Sequence, residues 1–173
     1  MNVARRGWSQ AALTTLALSA CGGSLANRGS IEATIGRATY HDILTEVPQV
    51  LRRYEYAIYT TRETSTTLYL ETDWRHRAPF DDEAEAGADF ARSRFVVRAR
   101  RAGAAFYTLR ITAENQVHLE EVSDSVAMPA LEGVPGWTTM PAPDMYEAYV
   151  AEIMTEIELK VDAGLRTHGA PIR

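Results

Sequence analysis

Between Tyr40 and Tyr54 the apolar residues fall at Tyr40, Ile43, Leu44, Val47, Val50, Leu51 and Tyr54. Spacings of three and four predict a helix with one buried stripe. Pro48 stands inside that stripe. A mid-helix proline lacks an amide donor and clashes with the preceding turn, so a kink or two short helices is expected. The period then drops to two. Tyr54, Tyr56 and Ile58 alternate with Glu55, Ala57 and Tyr59, and residues 65–77 set Leu68, Leu70, Thr72 and Trp74 against Tyr69, Glu71, Asp73 and Arg75. This alternation predicts strands with one face on a core, joined by a tight connection at Glu63, Thr64 and Ser65. Strand character returns over residues 93–100, where Phe95, Val97 and Ala99 oppose Arg94, Val96, Arg98 and Arg100. A turn at residues 101–104 leads to Tyr107, Leu109 and Ile111, alternating with Phe106, Thr108 and Arg110. Asn115 punctuates the chain before a last run over residues 116–122.

Residues 31–35 predict a short edge strand. Residues 78–91 combine proline, glycine and a run of acids, which predicts an exposed loop with at most one helical turn. Residues 123–143 are too rich in proline for regular structure, yet Met128, Leu131, Val134, Trp137 and Met140 would hold them against the domain. Asp144, after Pro143, is placed to cap a final helix whose stripe is Tyr146, Tyr149, Val150, Ile153, Ile157, Val161 and Leu165. The order helix, strands, helix predicts an α+β fold over residues 31–173. It would be a two-layer sandwich in which an antiparallel sheet of about four strands packs against an N-terminal and a C-terminal helix.

The amino terminus has a different pattern. Arg5 and Arg6 precede a short apolar run over residues 11–18, which ends in Leu18, Ser19, Ala20, Cys21, Gly22 and Gly23. A positive region, a compact apolar region and small residues make an export signal, and the run is too short for a permanent membrane span. Leu18-Ser19-Ala20-Cys21 resembles the lipobox of bacterial lipoproteins. That resemblance implies removal of residues 1–20, a diacylglyceryl group and an amide-linked chain on Cys21, and a tether over residues 21–30. Gly22 stands where the family's inner-membrane retention aspartate would be, which implies an outer-membrane anchor facing the periplasm. The element order of the domain is also similar to that of small envelope-assembly lipoprotein modules, which implies a protein-binding or assembly role.

Loss of the leader removes two arginines and no acids, taking the formal charge from −5 to −7. An acidic domain has no general attraction for nucleic acid or anionic lipid, so attachment would come from the acyl chains.

Candidate chemistry is sparse. His41, His76, His118 and His168 lie in separate elements without metal-ligand spacing, so no metal or cofactor is expected. No nucleophile motif is present, and the acids at Asp81, Asp82, Glu83, Glu85 and Asp89 read as solvated, so no catalytic residue is assigned. The basic residues are more informative. Arg94, Arg98 and Arg100 share a strand face with Tyr69, and Arg75 and Arg77 are expected beside them. This face is either solvated and laced with cross-strand ion pairs or a docking surface for an acidic envelope protein or an anionic glycolipid. Trp137 reads as a packing anchor or a further partner contact. The expected function is a lipid-anchored, non-enzymatic binding module. A hydrophobic-ligand carrier, roofed by residues 123–143, and a hydrolase are the alternatives.

Overall fold

The elements run β1 (Ser30–Thr39), α1 (Tyr40–Leu44), α2 (Glu46–Arg53), β2 (Ile58–Glu63), β3 (Thr67–Thr72) and β4 (Arg75–Arg77). They continue with α3 (Asp81–Glu85), β5 (Ala88–Arg101), β6 (Phe106–Leu119), β7 (Trp137–Thr138) and α4 (Asp144–His168). This computed structural model describes residues 29–119 and 136–168. Cys21, the leader and most of the proline-rich segment lie outside the described residues. The fold is α+β, with an open antiparallel sheet of seven strands in the order β1-β6-β5-β3-β2; β4 extends the β3 side of β5, and β7 pairs with β6.

The sheet is larger than the four strands expected, for three local reasons. The edge strand β1 runs to Thr39, because a bulge between Thr34 and Gly36 lets pairing with β6 resume. Gly36 takes φ +110°, a conformation that costs glycine little. The run over residues 65–77 breaks after Thr72, giving β3 and the separate β4. Two residues of the proline-rich segment, Trp137 and Thr138, pair with His118 and Val117. Tyr54 and Tyr56, by contrast, precede β2 in a connection where Glu55 adopts φ +66°.

The predicted first helix is divided at Thr45 rather than at Pro48. Pro48 occupies the first turn of α2, where the missing amide hydrogen would have had no intrahelical partner. A reciprocal cap starts α1: the Thr39 hydroxyl accepts from the Asp42 amide at 3.2 Å, and the Asp42 carboxylate accepts from the Thr39 amide at 3.1 Å.

One face of the sheet meets the helices. Leu68 and Leu70 of β3, Phe95, Val97 and Ala99 of β5, and Tyr107, Leu109, Ile111 and Ala113 of β6 form one core with Ile43, Val47, Val50 and Leu51 of α1–α2 and Tyr146, Val150, Ile153, Ile157 and Val161 of α4. Tyr56 meets Phe95 edge-to-face with centroids 4.8 Å apart. The period-two and period-three-to-four stripes thus converge on the same core. No helix among the described residues is long and apolar enough to cross a membrane.

Candidate functional site: the open face of the sheet

Alternation along β5 and β6 assigns every second side chain to the face opposite the helices. In register, Arg92 lies across from Gln116, Arg94 from Glu114, Val96 from Thr112, Arg98 from Arg110 and Arg100 from Thr108. On the other side of β5, Tyr69 pairs with Arg98, Thr67 with Arg100 and His76 with Arg92. Arg94, Arg98, Arg100, Tyr69 and Trp137 are therefore brought onto one surface, but into different surroundings.

At the β4–β7 end the side chains stack. The Arg92 guanidinium lies 4.7 Å from the Trp74 ring centre and 4.3 Å from that of Trp137, and Arg94 lies 4.6 Å from Trp74. His76 and His118 meet the Trp137 ring edgewise at 5.4 and 5.8 Å. Gly136, at φ +90°, turns the chain tightly against the His118 ring, where an added Cβ would approach to 2.6 Å. Arg92 also donates twice to the Gln116 amide oxygen, at 2.8 and 2.6 Å. Arg94 pairs with Glu71 and, at 2.7 Å, with Glu114. The two tryptophans and two arginines hold one another in place, and a guanidinium over an indole is a favourable quadrupole contact. His76 and His118 flank Trp137 and do not converge. Among the described residues no group of His, Cys, Asp or Glu has the geometry to hold a metal ion.

At the β5–β6 hairpin end the arrangement is looser. Arg98, Arg100 and Arg110 line a shallow depression of about 670 Å³ with Thr67, Tyr69 and Thr108. Arg98 faces Arg110 directly across the strands, and like charges in that position oppose each other. Arg110 has one carboxylate, Glu32 at 2.9 Å, itself half exposed. Arg98 and Arg100 are exposed and have no carboxylate partner among the described residues. Tyr69 lies between Arg62 and Arg98, with ring centres 5.8 and 5.7 Å from the two guanidinium carbons, and donates to Glu71 at 2.6 Å. Burial first, then that hydrogen bond and the Glu71 charge, raise the Tyr69 pKa, so the phenol stays protonated.

Four expectations are corrected. Trp74 does not share the core face with Leu68, Leu70 and Thr72; the break at Asp73 shifts the alternation and sends its ring to the open face, against Arg92 and Arg94. Arg75 and Arg77 do not join the open-face arginines. They pair in register with Ser93 and Ala91, on the helix side, where Arg75 reaches Glu55 at 2.7 Å. Arg77 pairs with Glu83 through two bonds of 2.6 and 2.7 Å. Glu83 is not a solvated loop acid, since its side chain is 0 % exposed. Asn115 does not end a strand; it is buried within β6 and donates to Glu83 at 2.7 Å. Burial alone would raise the Glu83 pKa, but donors from Arg77, the Phe80 amide and Asn115, with the Arg77 charge, bring it below the ordinary carboxylate value.

Arg92, Arg110, Thr67 and Thr108 belong to the face and were not assigned to it as site residues from the sequence. Arg92 has the same parity as Arg94, but the alternation shows strand character only from Ser93, whereas β5 starts at Ala88. Comparison with protein-family models and with curated proteins finds no match.

Proposed function

We propose that this chain is a lipid-anchored, non-enzymatic envelope lipoprotein that captures an acidic protein partner on the open face of its sheet. The observation that carries the reading is the register pair Arg98–Arg110 with Arg100 beside it, exposed around a depression with a tyrosine and two threonines. An anionic group placed there would relieve the cross-strand repulsion and accept from several guanidinium and hydroxyl donors at once. The remainder of the chain is acidic, so this patch would orient an acidic partner rather than attract anions over the whole surface. The Arg92–Trp74–Trp137 stack would act as a stiff support for the sheet next to the patch. Acylation at Cys21 would hold the domain at the outer membrane facing the periplasm, and the lipobox pattern supports that placement.

The test is co-purification from detergent-solubilised membranes, comparing the wild-type chain with Arg98→Glu/Arg100→Glu. A specific acidic protein should be recovered with the wild type and lost with the double variant, while both remain in the membrane fraction. Equal recovery of every protein from both would contradict the reading. Recovery of an anionic glycolipid in place of a protein would replace the partner class. Cys21→Ala should release the protein into the soluble fraction, and a variant that still pellets in high salt would remove the anchor.

A further inference from the structure

The second surface of interest lies on the opposite side of the fold from β2, where the free edge of β1 runs beside α4. The buried stripe of α4 has two flanks. On one, Tyr149, Glu152 and Glu156 meet the end of α2: Tyr54 donates to Glu152 at 3.2 Å and Arg53 pairs with Glu156. On the other, Glu147, Ala148, Ala151, Thr155 and Glu158 line a groove of about 860 Å³ with residues 30–35 of β1. These flank residues are exposed, and the three central ones are small. Antiparallel pairing to β6 uses the backbone groups on only one side of β1, so alternate amides and carbonyls of residues 30–34 point into this groove. None of them has another backbone partner among the described residues.

We infer that this groove takes an extended, basic segment of a partner polypeptide, added as a further strand on β1 beneath the flank of α4. The dimensions match. Ser30 to Ile35 spans about 17 Å as a strand, and Glu147 to Glu158 spans about 17 Å along a helix. Ala148, Ala151 and Thr155 leave room for alternate side chains of an incoming strand, and the main chain supplies hydrogen bonds, as in other strand-addition sites. The groove rim sets the charge. Asp144, Glu147 and Glu158 stand along α4, and no lysine or arginine lines the groove; Glu32 on β1 also lines it but is paired with Arg110. The bulge at Thr34–Gly36 ends the regular edge and limits the docked segment to about six residues. The other sheet edge differs. Strand β2 has four of its six residues exposed and carries Arg62 and Glu63. Charges guard β2, whereas residues 30–35 of β1 are paired on that edge with no other strand among the described residues and have α4 beside them.

The test uses a fluorescently labelled peptide, Lys-Thr-Val-Thr-Val-Thr-Lys, titrated by anisotropy into the detergent-solubilised full chain. Binding should be at least tenfold weaker for Glu-Thr-Val-Thr-Val-Thr-Glu. Ala151→Trp should fill the groove and reduce affinity at least tenfold; Thr155→Arg serves the same purpose if the tryptophan variant does not fold. Hydrogen exchange at the amides of residues 30–34 should slow when the basic peptide is present. Arg98→Glu/Arg100→Glu should bind this peptide as the wild type does, so failure here is separable from failure of the open-face reading. Equal binding of both peptides, no binding at millimolar concentration, or full binding by the groove-filled variants would overturn the proposal. Self-association of the chain abolished by Ala151→Trp would also overturn it, by making a second copy the occupant.

Discussion

Arg94 and Arg98 stand four residues apart on one strand and project from the same face, yet their surroundings differ. Arg94 is held by two carboxylates, Glu71 and Glu114, and by the Trp74 ring. Arg98 has the Tyr69 ring at 5.7 Å and a second arginine across the strands. Arg77 marks the extreme of the paired condition, with 7 % of its side chain exposed and a bidentate bond to a fully buried glutamate. Position along the sheet therefore decides what an arginine does here. Near β4 and β7 arginines are structural, because aromatic rings and carboxylates surround them. Near the β5–β6 hairpin Arg98 and Arg100 are exposed and have no carboxylate partner among the described residues.

Substitutions should separate the two groups, and the largest effect belongs to the buried pair. Glu83→Ala leaves the Arg77 charge without its partner and should cost about 3–5 kcal/mol, read by chemical denaturation. A loss below about 1 kcal/mol would show that water enters and solvates Arg77. The same pair predicts a pH dependence. A carboxylate whose folded pKa lies below its unfolded value contributes stability above the unfolded value, about 4.3, and that stability is lost as the pH falls through the folded value. The wild type should therefore weaken below about pH 4, and Glu83→Gln should show a shallower acid slope in melts across that range. Equal slopes would remove Glu83 as the responsible group.

A smaller effect is expected in the aromatic stack. Trp74→Ala removes ring contacts with Arg92 and Arg94 and should cost about 1 kcal/mol, with altered near-ultraviolet dichroism from Trp137. The smallest stability change belongs to the hairpin end. Arg98→Gln/Arg100→Gln should leave the melting temperature unchanged or slightly raised, because it relieves like-charge repulsion. A clear drop would mean that these arginines are structural, and the contrast between the two ends would fail.

Much of this could be read from alternation alone. Phe95, Val97 and Ala99, the Leu109 and Ile111 side of β6, and the α4 stripe all face the core as the periods of two and of three to four require. Alternation fails where the backbone breaks phase without a glycine or proline to announce it. After Thr72 the chain leaves β3, so Trp74 lands on the open face. Residues 75–77 then pair with residues 91–93, which sends Arg77 inward. Glu83 is unreadable for a related reason: its partner Arg77 is only six residues away but turns inward through its pairing with β5, and Asn115 arrives from 32 residues along the chain. The short β7 could not be foreseen because Trp137 and Thr138 gain strand geometry only from pairing with β6. The open-face arginines were legible as a shared face, but their division into paired and unpaired groups depends on which rings and carboxylates lie across the sheet.

A direct measurement of that division is the affinity of the detergent-solubilised chain for a labelled glutamate-rich peptide at low and at physiological salt. Binding should be measurable, weaken with salt, fall more than tenfold in Arg98→Gln/Arg100→Gln, and change less than twofold in Arg92→Gln. Equal losses in the two variants, or binding indifferent to both, would contradict that division.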